Sequence, residues 1–451
     1  MKRLIILSMT ACLLTGCGIY KNYSRPDMEI EAQYCHTKNI ADTAAIASLS
    51  WREFFADTCL QVLIEQGVQR NTDLQMAYLR VEEAEAVLMN ARLSYLPSLS
   101  LLSEAGVSRY AETTSKTYNI ATSASWELDI FGKNTNAKRG ASAALEGSSD
   151  YAQAVQTQLI AAIADSYYTL LMLDSQLKIG EQTLESWEKS IRILESLKRG
   201  GKTDDAAVLQ ARANRMTLEI SVLALRKSIV DTENSLSALL AMPSRRIERG
   251  TLSETAFPES VSTGIPVQLL ANRPDVRQAE RNLAQAFYAT NAARAAFYPS
   301  ITLAGTSGWT NNGGGVILNL GQWLLNAIGS LTQSLFNKGT NMVNLRIAES
   351  RQEQATLQFR QSLLDAGKEV NDALVQCQTS KWQIELGEQQ ITTLTEAVRK
   401  TELLMLHSST TYLEVLTAQQ ALLNAEQQQS QYRFDNIQGF INLYHALGGG
   451  I

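Results

Sequence analysis

The sequence predicts a mainly α-helical chain with a small β part, built as two copies of one ~200-residue unit. Three observations carry this. The string Ala91-Arg92-Leu93-Ser94-Tyr95-Leu96-Pro97-Ser98 returns 202 residues later as Ala293-Arg294-Ala295-Ala296-Phe297-Tyr298-Pro299-Ser300. All seven prolines lie outside residues 98–242 and 300–451, so long unbroken elements are permitted there. Within each copy the hydrophobic period passes from helical to two and back to helical.

The repeat extends beyond one motif. Asp73, Ala77, Ala84 and Ala91 map onto Asp275, Ala279, Ala286 and Ala293; Phe131-Gly132-Lys133 has its counterpart in Phe336-Asn337-Lys338-Gly339, and Val208-Leu209-Gln210-Ala211 in Val415-Leu416-Thr417-Ala418. The copies are assigned to residues 61–245 and 266–451, joined by a connector at 246–265 within the stretch from Pro243 to Pro266.

The N-terminus reads as an address. Lys2 and Arg3 precede an apolar run from Leu4 to Leu14, which ends in Leu14-Thr15-Gly16-Cys17. That is the tripartite form of a secretory signal, and the run is about half the ~20 residues a membrane-spanning helix needs. Small residues before a cysteine resemble a bacterial lipobox, which implies removal of residues 1–16, lipid on Cys17 and an anchored segment at 17–60. Cys35 and Cys59 could pair once exported, but the leftover Cys377 argues against a disulfide framework.

Asn71 to Leu96 has no breaker and reads as a helix ended by Pro97. Period-two segments follow, giving hairpins at 98–131 and 300–336. On one face lie Leu99, Leu101, Ser103, Ala105 and Val107, then Tyr118, Ile120, Thr122, Ala124, Trp126, Leu128 and Ile130; Glu127 and Asp129 fall on the other. The second copy repeats this with Ile301 to Trp309 and Trp323 to Leu335. Strands of about ten residues suit a tilted crossing of an outer membrane, with aromatic side chains at both interfaces. Tyr95, Phe131, Phe297, Tyr298 and Phe336 are expected on one rim; Tyr110, Tyr118, Trp309 and Trp323 on the other; Trp126 lies at the strand end. Four strands cannot enclose a pore, so if the strands lie in a membrane several chains must share one barrel. The competing reading of alternation alone is the edge of a soluble sheet.

Long helices are expected at 134–199 and 341–406, with return helices at 204–241 and 412–447. Val155, Leu159, Ala162, Ser166, Leu170, Leu173 and Leu177 continue at threes and fours to Leu194, a coiled-coil seam. Gly200-Gly201 and His407-Ser408-Ser409-Thr410 reverse the two long helices.

Several functions are excluded. Forty basic against 45 acidic residues, a net charge of -5, do not suit a nucleic-acid binder. Three histidines and five cysteines without metal-ligand spacing argue against a metal centre, and no cofactor is expected. Gly200-Gly201-Lys202-Thr203 has Ser196 where a phosphate loop needs its first glycine, and it links two helices. No GxSxG frame supports a nucleophilic serine.

The lipobox, the duplicated helix–hairpin–long-helix unit, Asn272-Arg273-Pro274-Asp275-Val276, Trp126-Glu127-Leu128-Asp129-Ile130-Phe131-Gly132 and the terminal Tyr444-His445-Ala446-Leu447-Gly448-Gly449-Gly450 together resemble the TolC-like outer membrane factors. The branch is that of the NodT-type lipoproteins of tripartite RND efflux systems. The resemblance implies a homotrimer with a 12-stranded barrel in outer-membrane lipid and a coiled-coil α-helical barrel across the periplasm. It further implies a periplasmic adaptor, an inner-membrane RND-type pump, and a passive duct with no bond chemistry. The duct of a type I secretion or heavy-metal efflux system is the alternative within the family; a periplasmic coiled-coil scaffold lipoprotein is the alternative outside it.

The resemblance also puts a periplasmic gate at the helix reversals. The candidates are Asp204, Asp205, Thr411, Glu414 and Thr417. Thr417 stands where the family has a ring of aspartates, and Thr410 where some members have arginine. Carboxylate rings from Glu414, Asp204 and Asp205 would attract cations; Asp204 and Asp205 read equally as caps of their own helix.

Overall fold

The structure, a computed structural model of the chain, describes residues 20, 22–26, 50–252, 273–310, 322–334, 336–407 and 411–449. Residues 1–17 with Cys17, then Cys35, most of the connector, Asn272, Leu335 and Ser408 to Thr410 lie outside the described residues, as do the side chains of Tyr110 and Trp323.

In chain order the described elements are α1 (Trp51–Phe54), α2 (Thr58–Arg70), α3 (Thr72–Leu93), β1 (Ser98–Tyr110), β2 (Thr113–Leu128), α4 (Lys133–Arg199), α5 (Asp205–Leu239), α6 (Pro274–Ala295), β3 (Ser300–Thr310), β4 (Gln322–Thr332), α7 (Thr340–Leu406) and α8 (Tyr412–Ala446). The duplication is visible in the lengths. α3 and α6 have 22 residues each, α4 and α7 have 67, and α5 and α8 have 35. The offset is 202 residues from α3 through β1 and 207 from α4 onward, so the copies differ by five residues gained between β3 and α7.

The chain divides into two compact units. The first, residues 1–29, 79–150 and 277–361, holds the sheet. Its strands form one antiparallel sheet of order β1-β2-β3-β4. β1 and β2 turn in two residues, Ala111 and Glu112, with Ala111 at φ 54°, the left-handed conformation such tight hairpins demand of their first loop residue. The second hairpin pairs Ser300 with Thr332 out to Thr310 with Gln322.

The period-two reading ran past the end of the sheet. β2 stops at Leu128 and β4 at Thr332, so Ile130 and Asp129 are not strand residues. Asp129 instead closes the start of α4. Its carboxylate accepts from the Asn134 and Thr135 amides at 2.8 and 2.7 Å and from the Thr135 hydroxyl at 2.6 Å, satisfying amides that a helix start leaves without partners. Asp129 therefore does not share the strand face with Glu127 on which the alternation placed it.

The second unit, residues 30–78, 151–276 and 362–451, is helical. Asp57 caps α2 through the Cys59 and Leu60 amides, and its other carboxylate oxygen accepts from the Tyr167 hydroxyl at 2.6 Å. Phe54 stacks on Tyr444 with ring centroids 4.2 Å apart. Ile160, Ile163, Ala164, Tyr167, Tyr168, Leu170 and Leu171 are buried, so the seam read from Val155 onward carries core residues on its flanks. Helices α7 and α8 approach closely at Gly439, where an added Cβ would stand 2.8 Å from the Cys377 sulfur.

Candidate functional site

Two regions carry the functional reading: the faces and rims of the sheet, and the helix reversals. Directly paired strand residues share a face, and the register brings all four predicted stripes together. Leu99 pairs with Ala124, Ser103 with Ile120 and Ala105 with Tyr118; Ile120 with Trp309 and Trp126 with Leu303; Leu303 with Gly329, Ser307 with Leu325 and Trp309 with Trp323. The opposite face is mainly polar, with Ser98, Ser100, Glu104; Thr117, Asn119, Ser123, Ser125, Glu127; Thr302, Thr306; Asn326 and Ser330, and it also carries Leu102, Ala121, Ala304 and Ile328. Leu99, Leu101 and Leu325 are 73–75% exposed. A contiguous apolar sheet face left open in this way needs a lipid or protein cover. From Leu128 to Tyr118 the stripe spans about 34 Å along the strand, which at a tilt of 35–45° gives about 25 Å of height, the thickness of an outer-membrane apolar band.

At the end of the sheet nearest the helices the aromatics interlock. Trp126 Nε1 donates to the Tyr95 carbonyl at 2.9 Å, and the Tyr95 hydroxyl bonds Thr135 Oγ1 at 2.9 Å. Lys138 Nζ sits 5.7 Å from the centre of the Tyr95 ring. Phe131 stacks on Tyr298, and Phe297 and Phe336 stay exposed beside them. At the other end Trp309 and Trp323 are directly paired, and Tyr118 lies two residues beyond Ile120, the partner of Trp309, about 7 Å further along the strand. Tyr110 does not belong to that girdle. It lies five residues beyond Ala105, the partner of Tyr118, and so about 17 Å further along the strand.

Sequence reasoning missed the strap formed by residues 20 and 22–26. The Tyr23 amide donates to the Tyr288 hydroxyl at 3.4 Å, Tyr23 meets Phe287 edge to face at 5.8 Å, and Arg25 is ion-paired with Glu280. Tyr20 lies against Gly132. The strap thus descends along α6 from the sheet end, and Cys17 is three residues before Tyr20, within about 11 Å of chain reach. Burial, and secondarily the Glu280 charge, push the Tyr23 hydroxyl up to about 12. Residues spaced in this way carry no helical or strand period, so no sequence signal marked them.

Arg273 stands in the Asn272-Arg273-Pro274-Asp275-Val276 motif. It is 3% exposed and forks onto Asp275 at 3.0 and 2.7 Å, while also reaching Glu369 at 2.7 Å and the Ala446 carbonyl at 3.1 Å. Burial alone would raise the Asp275 carboxyl, but the bonds and charge of Arg273 hold it below the ordinary range. Arg273 therefore ties the start of the second copy to the last carbonyls of α8, where a cation is favoured.

At the helix reversals the two copies come together. Ile191, Leu194, Val208, Ala211, Tyr412, Val415 and Leu416 form one buried cluster. Beside it a cavity of about 570 Å³ is lined by Leu197, Lys202, Asp204, Met405, Thr411 and Leu413 among others. Asp204 caps α5 by accepting from the Ala207 amide at 2.9 Å, and Asp205 is ion-paired with Lys198. Thr411 precedes α8 without a side-chain cap. The Thr417 hydroxyl turns back onto the Leu413 carbonyl at 2.8 Å, and Glu414 is an exposed residue of the first turn of α8. Of the candidate carboxylates, Asp204 and Asp205 thus lie at one reversal and Glu414 at the other. Among the described residues no group of three or more metal-ligating side chains gathers.

Residues 63–242 and 265–449 match the outer membrane efflux protein family. The chain is 30% identical to the cation efflux system protein CusC of Escherichia coli strain CFT073 over 98% of its own length and 97% of the relative's. It is 30% identical to the probable outer membrane lipoprotein SilC of Salmonella typhimurium over 100% and 99%. A crystal structure of CusC superposes with a TM-score of 0.88 at 28% identity, covering 96% of this chain and all of that one; the open state of the Neisseria gonorrhoeae MtrE outer membrane channel gives 0.85 at 26%, covering 96% and 98%. With its exposed apolar sheet face and its duplicated long helices, the chain belongs to the outer membrane efflux protein family and is an outer-membrane efflux channel.

Proposed function

We propose that three copies close one 12-stranded barrel and serve as the passive exit duct of a tripartite pump, receiving small molecules from a periplasmic adaptor and an inner-membrane RND-type transporter. The observation that carries this reading is the open four-stranded sheet. Its apolar face is continuous, and among the described strands β1 and β4 each pair on one side only. Backbone groups cannot stay unpaired in hydrocarbon, and four strands leave no lumen, so closure needs further copies. The polar face then lines the duct. Cys17 takes the lipid anchor, and the strap from Tyr20 supports this because it begins beside the Phe131–Gly132 end of the sheet. The gate sits at the reversals, with Thr411, Glu414 and Thr417 on one side and Asp204 and Asp205 on the other.

The test is reconstitution. Purified protein is expected to run as a heat-modifiable trimer by native mass and to conduct ions in planar bilayers. Cysteines at Thr411, bridged by a short thiol crosslinker, are expected to abolish efflux without preventing insertion. A soluble folded monomer would overturn the duct.

A second reading concerns cargo. The relative at 30% identity is named a cation efflux protein, and the Glu414 carboxylates would favour cations. A deletion strain carrying this chain, challenged with metal salts and with organic dyes, decides between the two. Restored tolerance to metal salts alone assigns cations, and restored tolerance to dyes alone assigns organic molecules.

A further inference from the structure

The apolar face of the first hairpin ends abruptly. Moving outward along β2 from Tyr118, the next side chains on that face are Lys116 and Thr114; along β1 from Ala105 they are Val107 and Arg109. The register sets Val107 opposite Lys116 and Arg109 opposite Thr114, and Arg109, Thr114 and Lys116 are all exposed. Lys116 lies about 7 Å and Arg109 about 14 Å along the strand beyond the level of Tyr118. No acidic residue shares this face of the four described strands, since Glu104 and Glu127 are on the opposite face and Glu112 is in the turn. Residues 311–321 of the second hairpin contain no charged residue. In a chain whose net charge is negative, the outer edge of the lipid-facing surface is thus selectively basic.

We propose that Arg109 and Lys116 bind the phosphate groups of an anionic, phosphorylated lipid of the outer leaflet, a reading that rests on the sheet spanning the outer membrane. The physical fit is in the depth. Long basic side chains lay their methylenes along apolar neighbours, here Val107 and Tyr118, and hold the charge at headgroup level. A guanidinium grips phosphate through paired N–H donors, and an ammonium acts as a point charge. Three chains would supply a ring of six cations just above the aromatic girdle. The lipid would then stiffen the overhanging part of the β1–β2 hairpin, which extends past the end of β3.

Delipidated trimer in detergent is incubated with bisphosphorylated lipid A and read by native mass spectrometry. The expected result is retained lipid A, at least tenfold less retention of its dephosphorylated form and of phosphatidylethanolamine, and no displacement by equimolar inorganic phosphate. The double variant Arg109→Gln/Lys116→Gln is expected to lose at least fivefold, Arg109→Lys less than twofold, and Thr114→Arg to gain. Equal retention by a double variant that still forms the heat-modifiable trimer overturns the proposal, as does equal retention of the dephosphorylated lipid. Wild-type protein that fails to insert into phospholipid vesicles would instead remove the membrane reading beneath it.

Discussion

The Tyr298 ring stacks on that of Phe131, with centroids 5.0 Å apart and planes 12° from parallel. One residue precedes β3 and the other follows β2, so the pair clamps the two hairpins where they meet the helices. Such pairs contribute about 0.5–1.5 kcal/mol beyond their buried area. A double-mutant cycle with Phe131→Leu and Tyr298→Leu, followed by thermal dissociation of the trimer, is expected to return a coupling in that range. Additive losses would mean that the rings act independently.

The assignment of faces gives a sharper contrast. Ala124 lies on the apolar face near the middle of the band and its neighbour Ser123 on the polar face. An arginine on the lipid side at mid-depth costs about 2–4 kcal/mol and far less in a lumen. Ala124→Arg should therefore cut the yield of inserted trimer severely, and Ser123→Arg only slightly. The reverse order would exchange the two faces.

Gly308 separates packing from propensity. A Cβ there would fall 2.2 Å from the Ile120 carbonyl oxygen and 2.4 Å from the Ala121 Cα, both backbone, whereas at Gly305 its nearest neighbour would be 3.5 Å away. Gly308→Ala is expected to break the β2–β3 seam and abolish trimer, with Gly305→Ala tolerated. Folding yield in outer-membrane fractions reads both.

The C-terminal caps of α5 and α8 are equivalent in the repeat but unequal in cost. Ala241 holds φ 51° where Gly448 holds φ 80°, and each passes its amide hydrogen back into the last helical turn. A residue with a Cβ pays about 1–2 kcal/mol in that conformation. Ala241→Gly should stabilise by about 1 kcal/mol, and Gly448→Ala should destabilise by at least as much because its Cβ would also stand 3.3 Å from the Arg273 Cα. Calorimetry or urea midpoints test the signs.

His445 introduces a pH dependence. Burial first, and then the Arg273 charge, hold its imidazole below the ordinary value. As pH falls, the unfolded chain takes up this proton before the folded one does. The stability contributed by neutral His445 is thus complete above about 6.5 and is lost as pH drops through the folded value. Melting temperatures between pH 7.5 and 5 should fall less steeply for His445→Asn than for the parent. Parallel curves would show that the imidazole titrates alike in both states.

How legible this was depends on the range of the interaction. The faces of the sheet could be read because a period of two survives in sequence wherever both sides of a strand meet different solvents, as from Leu99 to Val107. The same pattern misled at Asp129 and Ile130, because alternation continues by chance after the backbone has left the sheet, and only the bonds to Asn134 and Thr135 mark the departure. Asp204 was legible as a cap, being an acidic residue just ahead of a helix. The role of Arg273 was not, since Glu369 and Ala446 are 96 and 173 residues away and nothing local records them. The five-residue change of offset was legible in total, since Ala91 to Ser98 return after 202 residues and Val208 to Ala211 after 207; its place was not, because it falls in the stretch where the second hairpin repeats the first least cleanly.

The two outer strands have a consequence for biogenesis. β1 has 13 residues and β4 has 11, and in each about half the amide and carbonyl groups point away from the strand's one neighbour within the chain. In hydrocarbon each such group would cost several kcal/mol, so a solitary protomer has no tolerable resting place inside the bilayer. Oligomerisation cannot be a late event among already inserted subunits. With both edges unpaired, protomers are expected to associate before or as they enter, which makes the insertion rate depend on a high power of subunit concentration.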